Sequence, residues 1–479
     1  MRVRLDLNGV WEARIGGHGL PLARFEAEAA RWAEAHASLE VRREAGGLAW
    51  TSLPTQTDTA RELTEFGRYV ASRFENLVVL GIGGAAAGAT ALRTALTHPY
   101  WNLLPQSARG GPRLFVLDTS DPVAVSGLLD VVDPGQTLFH VVAKSGTTAE
   151  TMAQFFVFRR ALVNRLGESY RDHIVATTDP TEGVLRLLAR QEGYLVFPIP
   201  PEVDERFGAL SAAGLLPAAA CGVDLAELLA GARYADEATR EADPWRNPAL
   251  MAAALHWLAY QQGQTIAVLM PFATGLTGVA EWFRQLWAAS LGKRLDREGR
   301  VVHVGPTPVR ALGATDLHSQ GQLYLEGPAD KLVHLFLLDE YGREAPIPEL
   351  RTRVNLPDAA ARAARDQVVA DLGYLGGELM SHLLQAEARA TETALAEAGR
   401  PALAHRLPQM NAFTVGQLLY LLQMQRAYAA ELFGVNAYDQ PGVEAVKIAT
   451  YALMNRQGYE ARRAEIEAVE GGRRDEWTI

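Results

Sequence analysis

Short runs of β-branched and other apolar residues recur along the first half of the chain, each followed by a longer helical pattern. Strands are predicted at 77–81, 113–118, 137–143, 174–178 and 194–198, and helices between them at 121–131, 148–166 and 180–190. Continuous apolar strands that alternate with helices are typical of a parallel sheet covered on both faces. The pattern therefore predicts an α/β domain in this half.

The alternation begins again after a charged stretch, 222–248, which contains EADPWRNP and is predicted to be a linker. Predicted strands follow at 264–272, 300–305 and 331–339, and predicted helices at 276–293, 315–325, 357–396, 413–433 and 440–457, with a Pro/His break at 401–408 and a charged tail. We therefore expect an α/β protein with two parallel-sheet domains. The expected parts are an N-terminal helical segment (1–60), a first domain (61–235), a second domain (245–410) and a helical C-terminal arm (411–479).

Composition narrows the class of protein. The 479 residues carry a net charge of −10, which argues against a nucleic-acid or anionic-membrane partner. A site for an anionic substrate must then be locally basic or built from backbone donors. Cys221 is the single cysteine, so no intramolecular disulfide or cysteine-rich metal site is expected. No signal-like N-terminus or membrane-length apolar run is present in the sequence, and a cytoplasmic enzyme is the expectation.

The stretch VVLGIGGAAAGATALRTAL (78–96) reads as a strand, a tight loop and a helix N-terminus. Gly81, Gly83 and Ala86 match a variant of the dinucleotide-binding fingerprint. That fingerprint expects an acidic residue about 20 positions on, whereas Asp118 ends the next strand much later in the chain. Nicotinamide binding and a purely structural turn are both open at this point.

A second loop, VVAKSGTTAET (141–151), follows another predicted strand. Lys144, Ser145, Thr147 and Thr148 stand at the start of a helix, where hydroxyl groups and free backbone N–H groups suit a phosphate. A plain capping box that uses Glu150 is the alternative.

Three further segments contain polar residues that have ordinary structural explanations when each is taken alone. Arg206 opens a helix in VDERFGALSAAGLLP, and His318 lies in ATDLHSQGQLYLEGP. In NAYDQPGVEAVK, Asp439 is predicted to cap the next helix, on which Glu444 and Lys447 could form a surface ion pair.

The order of these motifs along the chain is more specific than any one of them. GIGG, KSGTTAE, ERFGALSAAGLLP, TDLHSQGQ and DQPGVEAVK, from about residue 75 to 450, closely resemble the bacterial glucose-6-phosphate isomerase (phosphoglucose isomerase) family. The resemblance implies two sugar-isomerase (SIS) domains and a glycolytic and gluconeogenic aldose–ketose isomerisation through a cis-enediol. It also implies a homodimer with active sites at the subunit interface, and no metal or organic cofactor.

The resemblance also implies roles for single residues. The phosphate would sit on Lys144, Ser145, Thr147 and Thr148 beside the Gly83–Gly84 turn, and Gln285 and Gln440 would contact the substrate. His318, from the neighbouring subunit, and Lys447 would assist ring opening. Arg206 would stabilise negative charge on the enediolate.

This sequence departs from the family pattern inside the motifs. Ala289 stands where the family carries its catalytic glutamate, Ala85 and Ala143 replace serines, and Asp204-Glu205 replaces a Gly-Gly pair. Loss of a general base typically costs about 10²–10⁴-fold in rate. Three hypotheses follow: another carboxylate supplies the base (Glu205 first, Glu281 second), the preferred sugar phosphate has shifted, or the chain binds sugar phosphates with impaired activity.

Overall fold

The computed structural model describes residues 1–350 and 358–478, and these form two five-stranded sheets surrounded by helices. The first sheet has the strand order β3-β2-β4-β5-β6 and is parallel throughout. Up to the end of this sheet the elements are β1 (Arg4–Asp6), α1 (Glu12–Ile15), α2 (Leu22–Ala27), α3 (Ala29–Glu44), α4 (Thr57–Arg73), β2 (Asn76–Leu80), α5 (Gly84–Leu96), α6 (Gln106–Arg109), β3 (Arg113–Leu117), α7 (Pro122–Val131), β4 (Thr137–Val142), α8 (Ala149–Leu166), β5 (Ile174–Thr178), α9 (Val184–Glu192) and β6 (Leu195–Pro198).

The second sheet has the strand order β1-β12-β11-β7-β10, and its pairs are parallel except for the edge strand β1, which runs antiparallel to β12. The remaining elements are α10 (Ala212–Ala220), α11 (Leu225–Thr239), α12 (Pro248–Gln261), β7 (Ile266–Pro271), α13 (Thr277–Leu291), β8 (Lys293–Leu295), β9 (Val301–Val304), β10 (Thr307–Arg310), α14 (Thr315–Ser319), α15 (Gly321–Glu326), β11 (Lys331–Leu338), α16 (Ala359–Leu372), α17 (Met380–Glu397), β12 (Ala402–Leu407), α18 (Ala412–Leu432), α19 (Pro441–Leu453) and α20 (Glu460–Glu470).

The two predicted parallel sheets are confirmed, and the five strands of the first sheet begin and end within one residue of their predicted bounds. Their positions are continuous apolar runs, and β2, β4 and β5 are buried along their whole length. Burial on both faces explains why these strands carry no alternation of polar residues.

Several predictions in the second half are wrong in detail. The linker prediction for 222–248 is wrong because residues 225–239 form helix α11. The charged residues lie on its outer face, and its apolar face is buried. Residues 301–304 do form a strand, but it pairs with β8 outside the sheet, and β10 fills the predicted place. The break at 401–408 is strand β12, in which the buried His405 takes the place of an apolar residue.

Other boundaries differ from the sequence prediction at the ends of the chain and in the second half. The N-terminal segment contains strand β1 as well as helices, because three residues suffice to pair with β12. The predicted helix 315–325 is two helices, α14 and α15, and 358–396 is also two, α16 and α17, with residue 357 outside the described part. The charged tail contains helix α20.

The helical C-terminal region is confirmed, but its first helix lies inside the protein. Helix α18 is buried at nearly every position and packs closely against α11. Glycines make this approach possible: a Cβ on Gly231 would lie 1.9 Å from the Phe413 carbonyl oxygen, and a Cβ on Gly416 would lie 1.9 Å from that of Leu228. Within 1–350 and 358–478, the structure contains no helix with the length and apolar character needed to cross a bilayer.

Candidate active site

A cavity of about 1020 Å³ opens at the carboxyl end of the first sheet. The loops that follow β2, β4 and β5, the segment 204–206, and helices α13 and α19 line it. Ligands of parallel α/β sheets bind at this edge because the loops after the strands converge there. The predicted site residues that line the cavity are Gly83, Gly84, Lys144, Ser145, Thr148, Glu205, Arg206, Gln285, Gln440 and Lys447.

The Gly83–Gly84 turn brings the first wall close to two other predicted site residues. Gly83 has a φ of 59°, and a Cβ there would lie 2.6 Å from Nε2 of Gln285. A Cβ on Gly84 would lie 2.8 Å from the Cα atom of Arg206. Gly84 is therefore required by the close approach of the Arg206 backbone, and Gly83 by its positive φ. Asp118, which a dinucleotide site would need, does not line this cavity.

The loop after β4 places hydroxyl groups and backbone N–H groups at the N-terminus of α8. The Ser145 and Thr147 hydroxyl oxygens lie 2.9 Å apart. Thr148 is the N-cap residue but its side chain caps no backbone group, so the predicted capping box does not form. The ammonium of Lys144 donates to the carbonyls of Pro201 and Val203, the latter at 3.0 Å. The Lys144 charge is thus held at the edge of the loop.

Asp204 and Arg206 form a tight ion pair beside the glycine turn. Nε and Nη2 of Arg206 donate to the two carboxylate oxygens of Asp204, each at 2.7 Å. Nη1 donates to the carbonyls of Ala289 (3.3 Å) and Ala437 (3.1 Å). Because a guanidinium has five N–H groups, one N–H on Nη2 remains for a ligand.

Glu205 lies next to this pair and faces the loop after β4. Its Oε1 accepts a hydrogen bond from the backbone N–H of Lys144 at 2.5 Å. Burial raises the pKa of the Glu205 carboxyl above its usual value, and nearby Asp204 adds to the increase. The Lys144 hydrogen bond and the positive charge of Lys447 act in the opposite direction. A carboxyl group with a raised pKa inside a cleft is a candidate for proton transfer.

Helix α19 contributes Lys447 to the cavity lining. Lys447 and Glu444 form the predicted ion pair, with Nζ 3.5 Å from Oε2, and Lys447 also lines the cavity. The Tyr451 hydroxyl donates to the Thr147 carbonyl at 2.8 Å, which joins α19 to the loop after β4. Pro441 is in the first turn of the helix, but Asp439 does not cap it as predicted; its carboxylate pairs with Lys293 at 2.7 Å instead.

Two predicted site residues do not line the cavity of this single chain. His318 is exposed on the short helix α14, and Thr147 contributes its carbonyl to Tyr451. Glu281, the second candidate base, also lies outside the cavity lining, and its bond to Arg284 lowers the pKa of its carboxyl. Ala85 and Ala143, where hydroxyl groups were missing from the motifs, are buried.

Sequence reasoning missed several residues at the site. Asp179 and Glu182 follow β5 and line the cavity, and their position after a parallel strand was the available signal. Arg426 does not line the cavity; it is fully buried against the rings of Phe207 and Tyr438, and burial lowers its pKa to about 10. Arg426 lies in the long, mostly apolar helix α18, and nothing in the surrounding sequence indicated that it would lie near the site. Both Arg426 and Arg206 donate to the Ala437 carbonyl.

Comparison with known proteins shows which family the chain resembles. The model of the phosphoglucose isomerase family matches residues 59–333. Over 467 residues the chain is 42% identical to a glucose-6-phosphate isomerase of Carboxydothermus hydrogenoformans, with 97% of each chain covered. The chain belongs to the phosphoglucose isomerase family.

Two other relatives extend the comparison. A glucose-6-phosphate isomerase of Thermus thermophilus is 41% identical over 403 residues, which is 84% of this chain and 89% of the relative. The crystal structure of a hypothetical protein from the same organism has a TM-score of 0.81 and 38% identity, covering 95% of this chain and 100% of that one. The phosphoglucose isomerase fold therefore extends over nearly the whole chain.

Within that family fold, Ala289 lies at the cavity wall where the resemblance places a glutamate. Its carbonyl accepts from Arg206, and its methyl group offers nothing that can take a proton. Glu205, one residue before Arg206, brings a carboxylate into the same cavity from a different segment. The site thus retains an ionisable carboxyl group although the motif glutamate is absent.

Proposed function

We propose that the chain is an aldose–ketose isomerase that interconverts glucose 6-phosphate and fructose 6-phosphate, a step of glycolysis and gluconeogenesis. The observation that carries the proposal is the convergence of the anion-binding loop after β4, Arg206 and Lys447 on one cavity in a chain of this family. The relatives named above as glucose-6-phosphate isomerases support the choice of reaction.

The proposed roles follow from the chemistry of each group. Ser145, Thr147, Thr148 and the N–H groups at the start of α8 bind the phosphate, since a helix N-terminus favours an anion. Lys144, Gly83, Gly84, Gln285 and Gln440 complete the binding site. His318 and Lys447 move protons between the ring oxygen and O1, which opens the sugar ring.

Isomerisation then requires one base and one fixed positive charge. Glu205 takes the proton from C2 of the open aldose and returns it to C1, while a proton moves from O2 to O1. The remaining N–H of Arg206 faces the negative charge that develops on the cis-enediolate between these steps, and a preorganised donor of this kind lowers the barrier.

We also propose a cytoplasmic homodimer in which His318 enters the site of the neighbouring subunit. Two observations support the homodimer. His318 is exposed and outside the cavity of its own chain. Val443 and Val446 of α19 line the cavity and are still 46% and 66% accessible. Apolar side chains exposed next to a site are typical of a surface that a partner covers.

A second candidate function is favoured by Ala289. The chain could bind sugar phosphates in the same cavity and turn them over slowly, because the position of the family glutamate holds a methyl group. The two candidates share the ligand and differ in rate.

A coupled assay of fructose 6-phosphate to glucose 6-phosphate with the purified protein separates them. Turnover by the wild type supports the isomerase. An inactive wild type that gains turnover through Ala289→Glu supports the impaired homologue. Tight binding of a nicotinamide cofactor, without binding of fructose 6-phosphate, would overturn both.

A further inference from the structure

The loop after β4 already holds an anionic group from its own chain. The Glu205 carboxylate accepts the hydrogen bond of the Lys144 N–H group at 2.5 Å, at the start of the loop that leads into α8. Lys144 lies in the loop that the proposed function takes as the phosphate site, and the carboxyl oxygen of Glu205 occupies one backbone donor of that loop. The observed contact therefore shows that an acceptor oxygen from the chain itself already occupies this N–H group.

The surroundings make a second anion costly while Glu205 stays in place. The charged groups that line the same cavity around Glu205 are Lys144, Glu150, Asp179, Glu182, Asp204, Arg206, Arg284 and Lys447. The Arg206 charge is matched by Asp204, and the Lys144 ammonium is bound to carbonyls. Of the two remaining cations, Arg284 pairs with Glu281, and Lys447, paired with Glu444, is the one whose charge acts on the Glu205 carboxyl group. Two negative groups on one donor set repel each other, so they cannot both bind it tightly.

We propose that the Glu205 carboxylate is an internal ligand of this loop, which the phosphate group of the substrate displaces from the Lys144 N–H group. The inference rests on the proposed function, since it takes the loop as the phosphate site. Displacement leaves the carboxyl group in the cavity without its backbone partner. The phosphate thereby turns Glu205 from a loop ligand into a free base near the sugar carbons.

The proposal has two consequences. Phosphate binding is weaker than the loop alone would allow, because each binding event must break the Glu205–Lys144 bond. A sugar without phosphate leaves Glu205 on the loop, so the base is not released. Glu205 then determines specificity for phosphorylated sugars as well as transferring the proton.

Isothermal titration with inorganic phosphate and with fructose 6-phosphate tests the proposal on four full-length proteins: the wild type, Glu205→Ala, Glu205→Gln and Glu202→Gln. Glu202 is an exposed glutamate three residues away that does not line the cavity, so its variant matches the change in net charge. Glu205→Ala is expected to bind inorganic phosphate about tenfold or more tightly than the wild type, since hydrogen bonds to charged groups are of that size. Glu205→Gln, which keeps an acceptor but no charge, is expected to lie between them, and Glu202→Gln to match the wild type.

Thermal unfolding of each variant checks that it is folded, and either Glu205 variant alone suffices for the comparison. Equal phosphate affinity in all four proteins, or weaker binding in both Glu205 variants, overturns the inference but leaves the proposed function in place. Failure of all four proteins to bind fructose 6-phosphate overturns the proposed function itself.

Discussion

Asp204 holds the guanidinium of Arg206 through two hydrogen bonds of 2.7 Å, and the same guanidinium binds the carbonyls of Ala289 and Ala437. One ion pair thus connects the loop before α10, the end of α13 and the turn before α19. The Arg206 side chain is only 4% accessible, so its charge depends on Asp204 for compensation.

Asp204→Asn is expected to destabilise the protein by about 1–3 kcal/mol, because it leaves a buried charge without a counter-charge. The value is below that of a fully buried pair since Asp204 is 27% accessible. Urea unfolding measures the loss. The control is Glu465→Gln, which removes an exposed pair with Arg462 and is expected to cost under about 1 kcal/mol. Equal losses in the two variants would contradict a structural role for the Asp204–Arg206 pair.

Glu205→Gln tests the proposed base. The variant is expected to lower kcat for fructose 6-phosphate by about 10²–10⁴-fold, because an amide cannot take the C2 proton. KM is not expected to rise, since the loop gains rather than loses freedom to bind phosphate. The coupled assay measures both constants, with Glu202→Gln as the matched control. An unchanged kcat in Glu205→Gln, together with a loss in Glu281→Gln, would assign the base to Glu281.

The first sheet could be predicted closely because its three central strands, β2, β4 and β5, are buried on both faces, and all five strands read as short apolar runs. The second sheet could not, since three of its strands lack that signal. Strand β12 includes His405 and Arg406, β10 has only four residues and begins next to a proline, and β1 has only three residues. In each case pairing with a neighbouring strand outweighs the local preference of the residues.

The candidate site was predictable where motifs carried it, because loops after parallel strands meet at one sheet edge. The hydrogen bond between Glu205 and Lys144 was not predictable, since the two residues are 61 positions apart in the sequence. It also depends on the direction in which the Glu205 side chain points. Arg426 was missed for a similar reason. Arg426 belongs to a mostly apolar helix, and its guanidinium packs against the rings of Phe207 and Tyr438. These rings come from other parts of the chain, so the sequence alone does not show the contact.

Mixed dimers test whether His318 acts across a subunit interface. His318→Ala and Lys447→Ala chains, each with a different affinity tag, are expected to be nearly inactive when expressed alone. A dimer that contains one chain of each kind has one intact site if His318 comes from the partner. Such dimers are expected to recover about half of the wild-type activity, by the symmetry of a two-fold assembly. Co-expressed and doubly purified dimers that stay inactive would place His318 and Lys447 at the same site within one chain.

Gly84→Ala tests the close approach between the glycine turn and Arg206. The new methyl group would lie 2.8 Å from Cα and 2.9 Å from N of Arg206, both backbone atoms that cannot rotate away. We expect a loss of about 1–3 kcal/mol in stability and a displaced Arg206, which lowers kcat/KM. Gly127→Ala on α7 is the control, since a Cβ there meets nothing within 4 Å and alanine favours the helix. Unfolding curves and the coupled assay should separate the two variants; similar behaviour would show that the turn can adjust.

Four buried histidines predict that the fold weakens in mild acid. Nε2 of His334 lies 2.6 Å from Nδ1 of His405, and the ring of His256 packs 5.7 Å from that of His334. Burial lowers the pKa of His256 and His405 to about 3, as it does for His140 in the first sheet, and it lowers the pKa of His334 well below its usual value.

In the unfolded chain these histidines titrate near pH 6.5. Between pH 6.5 and about 3 the unfolded state therefore binds more protons than the folded state. The contribution of these neutral histidines to the free energy of unfolding is complete above pH 6.5 and is lost as the pH falls. The expected loss between pH 7 and 5 is about 2 kcal/mol for each histidine that stays neutral in the fold. Urea unfolding at both pH values measures it. His334→Phe should reduce the difference by one such increment, while His18→Phe, at an exposed position, should leave it unchanged. A pH dependence that is the same in His334→Phe as in the wild type would mean that His334 is not held neutral by the fold.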